Sequence, residues 1–146
     1  MKKIAKILGL ILVLSLAVCA LFSCVRPAEE DPATLWDSAT YKENTSFGTG
    51  AKTVTVTVEV ESNSVEFTVK TDKANVADAL LEHSLIGGDM SEQYGLTVYT
   101  VNGIKADFNV DSAYWAFYVN GEYALTGASF IEIKDGDSIK IAYEKF

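Results

Sequence analysis

Residues able to carry covalent or acid–base chemistry are few in this 146-residue chain. His83 is the single histidine, and the two cysteines are Cys19 and Cys24. No Gly-x-Ser-x-Gly elbow, Gly-rich phosphate loop or cysteine–histidine arrangement occurs. His83 follows Glu82 within a stretch of helical spacing, where an imidazole is more often a surface group than a catalyst or metal ligand. Asp135-Gly136-Asp137 brings two carboxylates together, but a calcium loop needs more ligands at fixed spacing. An aspartate–glycine turn accounts for that triplet better. The expectation is a protein without catalytic residues, metal or cofactor. Its remaining chemistry is non-covalent and aromatic. "SAYWAFYVNGEYALTG", Ser112 to Gly127, carries Tyr114, Trp115, Phe117, Tyr118 and Tyr123. Such rings offer large apolar area with a polar edge.

Side chains alternate along an extended strand. Over residues 113–119 that places Ala113, Trp115, Phe117 and Val119 on one face and Tyr114, Ala116 and Tyr118 on the other. The first set fits a core, where each buried large side chain stabilises by roughly 1.5–3 kcal/mol. Trp115 suits such a place less well, because tryptophan is rarely buried completely. Tyr114 and Tyr118, with Tyr94 and Tyr99, form either a ligand platform or plain cross-strand pairs.

The chain starts with Lys2, Lys3 and Lys6 and continues as "ILGLILVLSLAVCALF", Ile7 to Phe22. A basic start, a short apolar run and a small residue before a break are the pattern of a secretory signal. The run is short of the roughly 20 residues that span a bilayer comfortably. "LFSC", Leu21 to Cys24, resembles the bacterial lipobox, although Phe22 is bulkier than that motif usually has. Cys24 is therefore the expected lipidation site, with simple cleavage nearby as the alternative. The expected location is extracytoplasmic, on the outer face of the bacterial cell membrane. Whole, the chain has 12 basic and 20 acidic residues, a net charge of −8. Without residues 1–23 it has 9 basic against 20 acidic residues, a net of −11. That charge repels phosphate backbones and argues against nucleic acid as a partner.

Residues 24–52 read as a flexible tether, with both prolines, an acidic cluster and no sustained period. Trp36 and Tyr41 are unusual in a spacer; docking on the domain and exposure both fit the sequence. The domain is expected over 53–146. "TVTVTVEV", Thr53 to Val60, and "VEFTVKT", Val65 to Thr71, alternate with period two and form a hairpin. "NVADALLEHSLIGG", Asn75 to Gly88, changes to helical spacing behind a capping asparagine, and Gly87-Gly88 is expected to stop the helix. Asn102-Gly103 and Asn120-Gly121, each between apolar runs, predict hairpins with type I′ turns. A last pair of short strands surrounds Asp135-Gly136. The expected fold is α+β and β-grasp-like: a mixed sheet of about five to seven short strands with one helix on one face.

"YGLTVYTVNGI", Tyr94 to Ile104, and "AYWAFYVNGEYALTGASFIEIKDGDSIKIAYEKF", Ala113 to Phe146, resemble the transcobalamin-like C-terminal domain. That family includes the β-domain of transcobalamin and intrinsic factor and bacterial surface versions. The resemblance runs from about Val54 to Phe146. It implies a corrinoid (cobalamin-like) ligand as the candidate partner molecule. It further implies that Tyr94, Gly95 and Leu96 form a loop facing the corrin, that Trp115 lies against it, and that Phe117 and Asn120 are neighbouring motif positions. Tyr118 joins this ligand-binding set from the aromatic strand. The vertebrate carriers close their site with a large helical barrel, which this chain does not have. Two readings follow: a lipid-anchored, non-catalytic binding module for a corrinoid, or a display module that docks a surface protein through an edge strand or aromatic patch.

Overall fold

The computed structural model describes residues 33–146, which form one compact unit, Ala33–Phe146. The apolar leader, Cys19 and Cys24 lie outside the described residues. The alternating valines behave as their period requires. Strand β2 (Lys52–Val60) buries Val54, Val56, Val58 and Val60, and β3 (Asn63–Thr71) buries Val65, Phe67 and Val69. The two pair antiparallel from Lys52↔Thr71 to Val60↔Asn63, around a tight turn at Glu61 and Ser62.

Helix α1 (Val76–Leu81) starts where the capping asparagine predicts. The Asp78 backbone N–H donates to Asn75 Oδ1 at 2.9 Å, and Asn75 Nδ2 donates to Asp78 Oδ2 at 2.9 Å. The helix is six residues long and ends well before Gly87. Ser84 takes the left-handed conformation, φ 54°, and the Leu85 N–H bonds back to Leu80 O at 3.0 Å. That closes the helix with a serine where glycine is usual. Gly87-Gly88 is therefore no helix stop. Both glycines lie in β4 (Ile86–Ser91), and the register with β5 (Gly95–Val101) shifts between them. A Cβ on Gly88 would sit 1.8 Å from Thr97 O, so the close approach of β5 at this bulge requires glycine.

Strands β4, β5 and β6 (Ile104–Lys105) form a separate three-stranded sheet. The larger sheet has six strands in the order β1-β3-β2-β9-β7-β8, with β1 (Thr45–Gly48), β7 (Ala113–Val119), β8 (Glu122–Tyr123) and β9 (Ser138–Lys145). It is mixed: β1–β3 and β2–β9 are parallel, the other pairs antiparallel. Among the described residues the fold is thus α+β with a six-stranded mixed sheet and one short helix, plus a second small sheet. Helix residues Val76 and Leu80 share one core with the valines of β2 and β3 and with Ile139 and Ile141 of β9. Both Asn-Gly pairs have positive φ at both residues, as type I′ turns demand.

The part of the tether expectation that falls on residues 33–52 does not match the structure. This segment holds a 3-10 turn at Leu35–Ser38, the edge strand β1 and the first residue of β2. Tyr41 and Phe47 pack edge-on to each other at 5.3 Å, and each lies 5.7 Å from buried Phe67. Trp36 also packs against the core. A side chain fixes the path. Buried Asn102 accepts from the Tyr41 N–H at 2.9 Å and donates Nδ2–H to Tyr41 O at 2.8 Å. Its own N–H reaches Leu85 O, and its carbonyl accepts from Thr40 N–H, both at 2.8 Å.

This clasp can be tested by chemical denaturation. Asn102→Gly keeps the positive φ and removes only the side-chain bonds, leaving two Tyr41 backbone groups without partners; the expected loss is roughly 1–3 kcal/mol. Asn102→Ala should cost about 1–2 kcal/mol more, the cost of a left-handed alanine. An Asn102→Gly protein that unfolds at the wild-type midpoint would show that the clasp adds nothing.

Candidate functional site

The two sheets meet along β5 and β7, and a cleft of about 580 Å³ opens there. Its walls are Leu96, Thr97 and Val98 of β5, Trp115 and Phe117 of β7, and the loop from Tyr123 to Phe130. Trp115 is held from two sides. Its indole N–H donates to Tyr99 O at 3.1 Å, and Tyr143 packs edge-on against it at 5.4 Å. It is 6% exposed and Phe117 is 7% exposed, so both are core residues that show the cleft a small part of their surface. Tyr94, in the turn between β4 and β5, is exposed, as are Tyr123, Leu125 and Phe130 on the opposite rim. Gly95 has φ +67°, and a Cβ there would lie 2.6 Å from Ser129 Cβ. The Leu96 N–H donates to Ser129 Oγ at 2.9 Å, which seats the β5 wall on the 3-10 turn Ala128–Phe130.

Of the residues singled out from the sequence, Tyr94, Leu96, Trp115 and Phe117 come together around this cleft. Gly95 supports it from behind. Tyr118 and Asn120 stand elsewhere. Tyr118 lies on the other face of the sheet, where its hydroxyl donates to Glu144 Oε1 at 2.5 Å and its ring packs edge-on to Tyr123. Lys140 Nζ sits 4.5 Å from that ring's centroid. Asn120 is structural. Its Nδ2 donates to Asp137 Oδ1 at 3.0 Å, and its Oδ1 accepts from the Ser138 N–H at 2.9 Å. The aspartates of the Asp-Gly-Asp triplet are used the same way, Asp135 accepting from Thr53 N–H and Asp137 from Lys134 N–H. Sequence reasoning missed the loop Ala124–Ala128 and Phe130, which have no motif; only "ALTGASF" between two strands, apolar yet glycine-broken, hinted at them.

Among the described residues no Lys, Arg, Asp, Glu, His or Cys lines the cleft, so the polar groups they bring to it are neutral hydroxyls, amides and backbone. Tyr114, at its margin, donates its hydroxyl to Glu144 Oε2 at 2.9 Å. That hydrogen bond to the Glu144 carboxylate favours the neutral phenol, whose pKa is pushed up to about 12 from 10.0. Tyr118 shifts upward for the same reason. His83 lies in a different place, stacked on Phe47 at 5.3 Å with Nε2 buried and without a hydrogen-bond partner. Among the described residues no three His, Cys, Asp or Glu side chains gather as a metal-binding group.

A family model described as a domain of unknown function (DUF4430) matches residues 74–145, just under half of the chain. Among curated proteins, none matches the sequence. A solved structure from Ruminococcus gnavus, described as a candidate metal binding protein, is 28% identical with a TM-score of 0.60; the match covers 65% of this chain and 98% of that one. Haptocorrin in complex with Cbi superposes with a TM-score of 0.54 at 18% identity, over 68% of this chain. The fold is transcobalamin-like. This chain spans only 27% of the haptocorrin chain.

The Tyr114–Glu144 bond predicts a titration. A phenol whose pKa is raised on folding contributes stability that is complete below pH 10 and is lost as the pH rises through about 12. Absorbance of ionised tyrosine, followed against pH, should show a late-titrating phenol, and Glu144→Gln should bring it back toward 10. A wild-type curve with every tyrosine titrating near 10 would refute the bond.

Proposed function

We propose that the chain is an extracytoplasmic, lipid-anchored binding module. Its cleft between β5 and β7 takes an amphipathic, ring-sized ligand, with corrinoids as the favoured class. The observation that carries this reading is the cleft itself: rings and aliphatic side chains around an uncharged interior, with neutral hydrogen-bonding groups at the margin. Such a site suits a ligand with a broad apolar face and uncharged polar arms. The likeness to haptocorrin bound to Cbi supports the fold on which this cleft is built. We further read the module as non-catalytic, because among the described residues the lining has no carboxylate, imidazole, thiol or amine to act as nucleophile or base. The anchor is Cys24, behind the apolar leader Ile7 to Phe22.

Cyanocobalamin titrated into the purified protein should quench tryptophan fluorescence and shift the corrin absorption. Tyr94→Ala and Phe130→Ala remove exposed rim side chains that the fold does not need. Each should weaken binding by about tenfold, the equivalent of 1.4 kcal/mol. No spectral change at millimolar cyanocobalamin would refute the corrinoid reading. Separately, the wild type should take up labelled fatty acid and sediment with membranes, and Cys24→Ser should do neither. Equal labelling of both would remove Cys24 as the anchor.

A further inference from the structure

Three large apolar side chains stand in solvent where β7 begins and β9 ends. Phe108 is 59% exposed, Val110 80% and Phe146 66%. Phe108 and Val110 lie on the loop between β6 and β7, and Phe146 follows β9. The rings of Phe108 and Phe146 are 4.4 Å apart, and Tyr114 extends the group at 6.5 Å from Phe146. Hydrogen bonds fix the loop that carries them. Asp107 Oδ1 accepts from the Asn109 N–H at 2.9 Å and from the Val110 N–H at 3.0 Å. The Asp111 N–H donates to Asp107 O at 2.8 Å, and Asp111 Oδ2 accepts from the Asp107 N–H at 2.9 Å. Phe146 joins the same loop through its N–H, which donates to Ser112 O at 3.1 Å. Both loop carboxylates therefore turn an oxygen back on the loop itself, and apolar side chains are left facing outward.

We propose that Phe108, Val110 and Phe146 dock the domain on a bilayer surface without net charge, entering the boundary between headgroups and acyl chains. Aromatic and aliphatic side chains on an otherwise polar body bind that boundary through the apolar area they bury there. Size favours lipid over protein. A stable protein interface covers about 800 Å² on each partner, drawn from roughly 20–30 residues. Three side chains cannot supply that, so a second copy is disfavoured. A bilayer needs no such area once the chain is tethered to it, because the second contact is then intramolecular. The tether is the anchor proposed at Cys24, and the inference rests on that reading. Ala33 is nine positions after Cys24 (33 − 24), a stretch that reaches at most about 30 Å. The described chain also begins close to the loop. The 3-10 turn Leu35–Ser38 packs on β6, and β6 leads within two residues to Asp107. Charge selects the lipid. Residues 33–146 hold 17 acidic and 8 basic residues, a net of −9, which anionic headgroups repel. Lys105 and Lys145, at the margin of the patch, do not reverse that balance.

The test couples the mature chain, residues 24–146, through its single cysteine, Cys24, to a maleimide lipid in phosphatidylcholine nanodiscs. Coupling supplies the tether whether or not cells acylate Cys24, so docking and anchoring can each fail without the other. With a nitroxide on the lipid acyl chains, the Val110 methyl resonances should broaden more strongly than those of Leu125. Leu125 stands toward the other end of β7, next to Ala124, whose N–H bonds to Phe117 O. Phe108→Ser with Phe146→Ser, both at exposed positions, should lower the docked-to-free ratio read at Val110 about tenfold. An unchanged Trp115 indole resonance checks that this variant stays folded. Leu125→Ser with Phe130→Ser, on the cleft rim, should leave the ratio as it was, and phosphatidylglycerol added to the disc should lower it. Val110 signals that stay sharp, that broaden no more than those of Leu125, or that respond equally to both double substitutions would overturn the proposal. Broadening that grows with phosphatidylglycerol and vanishes in concentrated salt would overturn it as well, by making the contact one between lysines and anionic headgroups. So would an uncoupled chain that dimerises in the ultracentrifuge with its Val110 methyls already buried, by giving the patch to a second copy.

Discussion

The parallel contact between β2 and β9 holds the molecule together. It pairs residues about 80 positions apart, from Thr55↔Ser138 to Glu59↔Ala142. It sets Val56 and Val58 beside Ile139 and Ile141, all at most 1% exposed. Each such side chain stabilises by roughly 1.5–3 kcal/mol when buried. On one side of this seam lie the hairpin and the rings of the N-terminal segment. On the other lie β7, β8 and the first wall of the cleft. Without the seam the larger sheet falls into two three-stranded pieces, β1-β3-β2 and β9-β7-β8.

The cleft depends on that seam through Trp115. Its backbone is fixed by β9, its indole by the Tyr99 carbonyl of the second sheet, and its ring by Tyr143. One side chain thus ties the two sheets where they form the site. The opposite face of β7 is closed by Tyr114 and Tyr118 sharing the Glu144 carboxylate over buried Ala116 and Ala142. The same strand therefore presents an apolar wall inside the cleft and a hydrogen-bonded surface outside it.

Local signals made much of this legible. The period-two valines of β2, the cap at Asn75 and the two Asn-Gly turns are short-range effects, decided by residues within a few positions. The alternation in Ala113–Val119 correctly separated Trp115 and Phe117 from Tyr114 and Tyr118. Other features arise from contacts remote in sequence. The helical spacing continued through Leu85, but Ser84 closed the helix and the Leu85 side chain reached the core from the next turn. Gly87-Gly88 served the approach of β5. Residues 33–52 looked like spacer because the partners of Tyr41, Asn102 and Phe67, lie 26 to 61 positions away. Tyr118 and Asn120 sat within the right motif, yet their polar atoms were claimed by Glu144, Asp137 and Ser138.

The placement of β9 has a temporal consequence. One of the two central strands of the larger sheet, β9 (Ser138–Lys145), follows both of its neighbours, β2 and β7, in sequence. Until those eight residues are available, the first hairpin and the aromatic strand have no common neighbour. Assembly thus waits on β9, and its many distant pairings place the fold among slowly folding topologies. Loss of β9 alone would leave β2 and β7 unjoined, so this one strand decides whether the larger sheet exists as a whole.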